Sequence, residues 1–231
     1  MIRLSIVIPI FNKISFTKSC LADLSHLPDD HEIIVIDNGS TDETQKELSN
    51  TEKYSRIVYI RNDTNVGFGR ACCQGYAKST GENVLFLNND IRVKGDLATW
   101  TEKLIERCDD NSLVGPTMGQ LDNNLNFVQE KNEYLSGLSY MSGWCLAARR
   151  SVFDKLDISG TGEIFDNNFF CYFEDSDLSF RAREQGIKFL VVPIPVVHFG
   201  KTSSKQLNVA ALYQTARKVF IKKWSRLIKK K

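Results

Sequence analysis

Four short, uninterrupted apolar runs dominate the first half of the chain: residues 4–9 (LSIVIP), 32–37 (EIIVID), 56–60 (RIVYI) and 83–87 (NVLFL). A strand that faces water on one side alternates polar and apolar residues. These runs do not, so they predict strands buried on both faces. Between them the apolar period changes. Phe16, Leu21 and Leu24 recur at helical spacing, and 41–48, 67–78 and 97–108 read as further helices. Buried strands alternating with helices imply an α/β fold with a mostly parallel sheet covered on both faces. Right-handed crossovers then bring the C-terminal ends of the strands to one edge, where open α/β sheets bind ligands.

The residues that follow each strand therefore carry the functional information. Phe11 and Asn12 follow the first, and Asp37-Asn38-Gly39-Ser40-Thr41-Asp42 end the second. Arg61, Asn62, Asp63 and Asn65 follow the third, and Asn88-Asn89-Asp90 the fourth. Any one of these clusters is ordinary turn and cap chemistry, but four strands ending alike point to a polar ligand edge. Asp42 also suits the first turn of a helix as a dipole-complementing acid. The second half differs. Residues 113–132 are turn-rich and short-stranded, 141–149 form a glycine-containing apolar segment, and 174–185 read as a helix closed by Gly186. Strands are expected at 188–192 and 196–198, with Pro193 and Pro195 between them.

Charge divides the chain unevenly. Of 30 Lys and Arg residues, ten lie in 201–231, which holds no Asp or Glu. The first 200 residues thus carry 20 basic and all 28 acidic side chains, a net of −8 against +10 for the tail. Such asymmetry marks an interaction segment. No stretch approaches the roughly 18–20 apolar residues that span a bilayer. The N-terminus lacks the basic region and cleavage site of a signal peptide and reads as a strand. The six cysteines include no CxxC pair and fit neither a zinc site nor a disulfide framework, so they read as buried thiols of a cytosolic protein. His26 and His31 read as surface residues.

Five segments in order carry a family resemblance. They are Ser5-Ile-Val-Ile-Pro-Ile-Phe-Asn12, Ile34-Val-Ile-Asp-Asn-Gly-Ser-Thr-Asp42, Asn65-Val-Gly-Phe-Gly-Arg-Ala71, Leu85-Phe-Leu-Asn-Asn-Asp90 and Phe173-Glu-Asp-Ser-Asp-Leu178. Together they resemble the family 2 glycosyltransferases, inverting enzymes that use a nucleotide-diphosphate sugar and a divalent metal. The resemblance spans 4–203 and implies the GT-A fold: a Rossmann-like, mostly parallel central sheet with flanking helices, ended here by a C-terminal amphipathic helix. The Gly67–Arg70 stretch does not complete a dinucleotide fingerprint, because Cys72 stands where the third glycine belongs and the stretch follows the third strand.

The resemblance assigns roles residue by residue. Asp37 matches the reader of a pyrimidine base, favouring a UDP- or dTDP-sugar, with Pro9, Phe11, Asn12 and Asn38 completing the nucleotide pocket. Gly67 would let a helix N-terminus approach the nucleotide, with Asn65 and Arg70 on ribose or phosphate. Asn88, Asn89 and Asp90 occupy the place of the DxD motif. Asp90 matches its metal ligand for Mn²⁺ or Mg²⁺, and Asn88 departs from the usual first acid. His198 matches a metal-binding histidine, and Lys201, Thr202 and Ser203 a loop closing over the diphosphate. Asp175 matches the catalytic base, with Glu174 orienting it or holding an acceptor hydroxyl. Trp144 and Asp177 are candidate acceptor contacts. For Asp177 an i,i+4 pair with Arg181 is the plainer reading.

The tail carries Leu207, Ala210, Tyr213, Ala216, Phe220, Trp224, Leu227 and Ile228 as one helical stripe among basic residues. It suits either an anionic membrane surface or docking on the body. Two units are expected, a glycosyltransferase domain at 1–205 and the basic helix at 206–231. The implied activity is inverting, metal-dependent sugar transfer to a hydroxyl of a growing surface glycan such as capsule or O-antigen, with a free or lipid-linked acceptor. Segments 165–178 and 198–203 resemble a rhamnosyltransferase-like branch, making dTDP-rhamnose a candidate donor. The expected place is the cytoplasm or the cytoplasmic face of the inner membrane. No basic groove suggests nucleic acid. The alternative is a catalytically inactive, membrane-associated subunit that binds nucleotide or glycan.

Overall fold

The structure is a computed structural model that describes residues 1–50, 52–200 and 208–228. The predicted alternation is present: β1 (Leu4–Ile10), α1 (Ile14–Leu24), β2 (His31–Asp37), α2 (Thr44–Leu48), β3 (Ile57–Arg61), α3 (Phe68–Lys78) and β4 (Asn83–Leu87). Then come β5 (Ile91–Val93), α4 (Glu102–Ile105), β6 (Ser112–Gly115), β7 (Met118–Leu121), β8 (Phe127–Lys131), β9 (Ser139–Met141) and β10 (Cys145–Arg149). The chain continues through α5 (Arg150–Leu156), α6 (Glu174–Glu184), β11 (Lys188–Val191), β12 (Val196–His198) and α7 (Val209–Ile228).

Seven strands form the central sheet in the order β11-β6-β10-β4-β1-β2-β3. β1 through β4 run parallel, and β10 lies antiparallel between β4 and β6. Along β1, Ile6 and Ile8 join one apolar layer with Cys20, Leu21 and Leu24 of α1, while Val7 joins the other with Ala71 and Tyr76 of α3. That two-sided burial is what the unbroken apolar runs require.

Register sets the functional edge. Ile10, Asp37 and Arg61 stand side by side at the ends of β1, β2 and β3. The antiparallel β10 delivers its N-terminus to the same edge, since Cys145 pairs with Leu87 and the Asn88 N–H donates to the Trp144 carbonyl at 2.8 Å. β12 pairs with β5 so that His198 faces Ile91, the residue after Asp90.

Three expectations change. The helix expected over 97–108 shrinks to α4, because Asp96 accepts hydrogen bonds from the Ala98 N–H at 2.9 Å and the Thr99 hydroxyl at 2.7 Å. Those local bonds compete with the helix ladder. Asp42 lies outside α2 and ties two loops, accepting from the Ile14 and Thr44 backbones. His31 is buried, its ring between Asp30 at 2.7 Å and Thr101 at 3.1 Å, whereas His26 is exposed.

The tail stripe docks on the body. Ala216, Phe220 and Trp224 are buried in a third apolar cluster with Leu121, Leu125, Phe169, Phe173 and Phe180. Leu207 and the Lys201–Thr202–Ser203 loop lie outside the described residues. No described helix is long and apolar enough to cross a membrane.

Candidate active site

A cleft of about 320 Å³ opens at the sheet edge. Its lining includes Pro9, Phe11, Asn38, Asn65, Gly67, Asn88, Asn89, Asp90, Trp144, Glu174, Asp175 and His198, so residues far apart in sequence meet there.

One wall comes from the loops after β1, β2 and β3, and its polar groups are largely paired with one another. The Asn38 amide donates to Asn65 Oδ1 at 2.9 Å and to the Gly67 carbonyl at 3.0 Å. Its carbonyl oxygen accepts from Asn62 at 3.1 Å and from the Val66 N–H at 3.0 Å. Gly39 is required by both its φ of +77° and its crowding, since a Cβ there would sit 2.8 Å from the Thr64 backbone. Gly67, at φ +94°, would drive a Cβ into the Phe170 carbonyl.

Three predicted nucleotide contacts lie outside the cleft lining. Asp37 is fully buried and does not line the cleft: its carboxylate accepts from the Ser40 N–H at 2.8 Å and, at 2.6 Å each, from the Tyr59 hydroxyl and Arg61. These bonds tie the ends of β2 and β3 together. Asn12 is also buried outside the lining, accepting from the Thr41 and Asp42 N–H groups at 2.7 and 3.3 Å. Arg70 is exposed and outside the lining.

Across the mouth lies a mixed oxygen and nitrogen pair. His198 Nε2 stands 3.1 Å from Asp90 Oδ1 and 3.2 Å from the Asn88 amide nitrogen. The imidazole stacks on Trp144, with centroids 4.6 Å apart and planes 10° apart. The Trp144 indole N–H is fixed by Thr117 at 2.8 Å and Glu130 at 2.9 Å. Trp144 thus spends one ring face holding the histidine. Two adjacent donors on an octahedral ion with bonds of about 2.1 Å lie about 3 Å apart, so Asp90 and His198 fit a divalent cation. Among the described residues no group of three or more metal-ligating side chains occurs, so the remaining positions would fall to substrate phosphates and water.

The second wall is the first turn of α6. Asp175 Oδ2 accepts from the Gly143 N–H at 3.0 Å, and Oδ1 from the Ser176 N–H at 2.7 Å. Burial pushes both acids above the ordinary carboxylate range: Asp175 by desolvation, with the Glu130 charge adding to it, and Glu174 by desolvation and then by the charge of Asp175. Glu174 Oε2 and the Ser142 hydroxyl are buried at this wall without a hydrogen-bond partner. Buried polar atoms left so are costly unless a ligand completes them.

Asp177 takes the plainer reading, the pair with Arg181. It is fully buried outside the cleft lining, paired with Arg181 at 2.9 Å and with Lys223 and the Trp224 indole at 2.8 Å each. Several lining residues were missed by sequence reasoning: Glu130, Tyr140, Ser142, Phe170 and Tyr172. Glu130 comes from β8 of a separate three-stranded sheet, which no spacing reveals. Phe170 and Tyr172 directly precede the acid pair, and that adjacency was the available signal.

Comparison with known proteins bears on the family and the fold. The chain is 27% identical over 217 residues to the amylovoran biosynthesis glycosyltransferase AmsB of Erwinia amylovora, covering 86% of this chain and 69% of that one. It spans only 13% to 29% of the length of the other curated relatives it matches. The structure is similar to a mannosyltransferase from Pyrobaculum calidifontis in complex with GDP-Man and Mn²⁺, with TM-score 0.62 and 16% identity over 83% of this chain and 55% of that one. It is also similar to GalNAc-T7 with UDP, GalNAc and Mn²⁺, with TM-score 0.67 and 17% identity over 86% and 44%. These likenesses establish the GT-A type of mixed sheet with flanking helices. The profile of glycosyl transferase family 2 matches residues 5–157, well over half of the chain, and the chain belongs to that family.

Proposed function

We propose that this chain is an inverting glycosyltransferase that moves a sugar from a nucleotide-diphosphate donor to an acceptor hydroxyl, with Asp175 as the base. The observation that carries this reading is the half-buried Asp175 carboxylate sharing one cleft with the Asp90–His198 pair. Inversion by direct displacement needs one base and no protein nucleophile. Burial makes Asp175 a stronger base than an exposed carboxylate, and the Gly143 and Ser176 N–H groups fix its direction. Glu174, with its pKa raised beside Asp175, limits the pair to a single charge near neutral pH. When bound, a divalent cation at Asp90 and His198 offsets the charge of the leaving diphosphate.

UDP- and dTDP-sugars, dTDP-rhamnose included, are the candidate donors, and GDP-sugars stand beside them because a similar mannosyltransferase structure holds GDP-Man. AmsB is named for amylovoran biosynthesis, which supports a growing polysaccharide as acceptor. Peripheral attachment to an anionic membrane would rest on Lys218, Lys222 and the lysines at 229–231, the last outside the described residues. Arg217, Lys223 and Arg226 are engaged with Asn126, Asp177 and Glu184 of the body.

A screen of UDP-, dTDP- and GDP-sugars with Mn²⁺ tests the activity. Saturable binding with metal-dependent donor turnover is the expected result. Binding without turnover under any acceptor or metal would favour the inactive-subunit reading, and no binding at all would overturn both.

A further inference from the structure

The acid pair is braced from outside the family match, which ends at residue 157. Two residues beyond Asp175, the buried Asp177 accepts from Arg181, Lys223 and the Trp224 indole. The same Lys223 ammonium reaches Asp166 Oδ2 at 2.6 Å. Asp166 in turn fastens the lip of the cleft, accepting from the Asn168 N–H on its side chain at 2.9 Å and from the Phe169 N–H on its carbonyl at 3.0 Å. Phe170, Cys171 and Tyr172 of that lip line the cleft. One ammonium from α7 therefore joins the lip to the first turn of α6. Asp166 and Asp177 are matched by Lys223 and Arg181, so the buried charges close on themselves.

The backbone entering α6 is strained. Tyr172 and Phe173 have φ of +74° and +66°, a region that bulky residues rarely adopt. Such conformations persist where the surroundings impose them. α7 packs directly on both residues: Phe173 stacks on Phe220 at 4.9 Å and meets Tyr213 at 5.1 Å, and Tyr172 meets Tyr213 at 5.8 Å.

We propose that α7 is a positioning element of the active site, with Lys223 and Trp224 acting through Asp166 and Asp177 to place the lip and the turn bearing Glu174 and Asp175. This rests on the reading of Asp175 as the base. The nucleotide wall is built from the β1, β2 and β3 loops, so a positioning fault belongs in kcat and not in nucleotide affinity.

Trp224→Phe keeps an aromatic ring, removes the donor to Asp177 and shrinks the buried ring, and Lys223→Met tests the same link without that loss of volume. Lys223→Met removes the ammonium, and Lys223→Arg restores a cation. In the full chain, Trp224→Phe and Lys223→Met should lower kcat about ten- to a hundredfold, the scale of a small misplacement of catalytic groups. Affinity for UDP and GDP, titrated alone, should stay within about twofold, and Lys223→Arg should recover most of the rate. Hydrogen exchange over 166–176 should quicken in the first two variants and be restored in Lys223→Arg, with 4–37 unchanged. Wild-type rates with unchanged exchange would overturn the proposal. So would exchange and nucleotide affinity loosening together across 4–37, which would mark α7 as a general stabiliser. If the wild type transfers no sugar, the base assignment fails by itself, and the confinement of the exchange change to 166–176 decides the role of α7.

Discussion

On one wall of the cleft, the loops after β1, β2 and β3 answer each other: Asn38 makes four hydrogen bonds and Asp37 three, all to neighbouring residues. On the other wall, Glu174 Oε2 and the Ser142 hydroxyl are buried without partners, both acids of the pair are pushed up by burial, and two bulky residues hold left-handed backbone. The first wall is a finished scaffold. The second stores unfavourable free energy of the kind associated with functional sites. On the proposed function, the satisfied loops would supply shape for the nucleotide and the unsatisfied turn the reactivity.

Asp175→Asn should separate the walls most sharply. The amide keeps the volume and loses the proton acceptor. Transfer should fall by about a thousandfold, within the range for removal of a general base, while nucleotide affinity changes by no more than about twofold. Steady-state transfer and nucleotide titration read the two effects. An equal loss in both would place Asp175 on the donor and break the division.

Asp37→Asn probes the first wall. The change leaves Arg61 without its counter-ion at a fully buried carboxylate position. Breaking a buried pair costs about 3–5 kcal/mol, and the partial exposure of Arg61 argues for a loss of about 2–3 kcal/mol in unfolding free energy. Denaturant unfolding reads this. The residual kcat of folded protein should remain within a few-fold of wild type. A selective loss of pyrimidine-nucleotide affinity at unchanged stability would return Asp37 to the base-reading role.

The same contrast explains what could be read from the sequence. The four apolar runs declared the strands because two-sided burial leaves no polar alternation, and the Gly186 helix stop worked because its φ of +72° suits glycine. Asp90, His198, Glu174 and Asp175 could be named because short segments carry the family resemblance. Residue type alone could not show which way a side chain turns. Asp37 follows its motif yet faces Tyr59 and Arg61, a consequence of cross-strand register with β3. Glu130 was invisible because β8 reaches the cleft only by pairing with β7 in a sheet of its own. The stripe on α7 was legible, whereas its docking surface, assembled from residues between Leu121 and Phe180, was not.

Glu174→Gln should have the smallest effect and test whether the second wall carries a stability cost. The pKa of Glu174 is raised in the folded protein, so its favourable contribution is complete below the ordinary carboxylate range and is lost as pH rises through the folded value. Near neutral pH and above, the wild type therefore bears the cost of a buried, unsatisfied carboxyl beside Asp175. A neutral amide of the same shape removes that titration. The variant should be more stable than wild type by about 1 kcal/mol at alkaline pH, with the gain fading toward acid, as thermal unfolding across pH would show. Activity runs the other way. Asp175 must be ionised to accept a proton, so the wild-type rate should fall on acidification at a pH above the usual carboxylate range. Glu174 is still protonated where Asp175 titrates, so in Glu174→Gln that acidic limb should stay close to its wild-type position. A stability difference independent of pH would mean that the Glu174 carboxyl is not held at a cost, and the contrast between the walls would then rest on the unpartnered Ser142 hydroxyl and the bulky left-handed pair Tyr172 and Phe173.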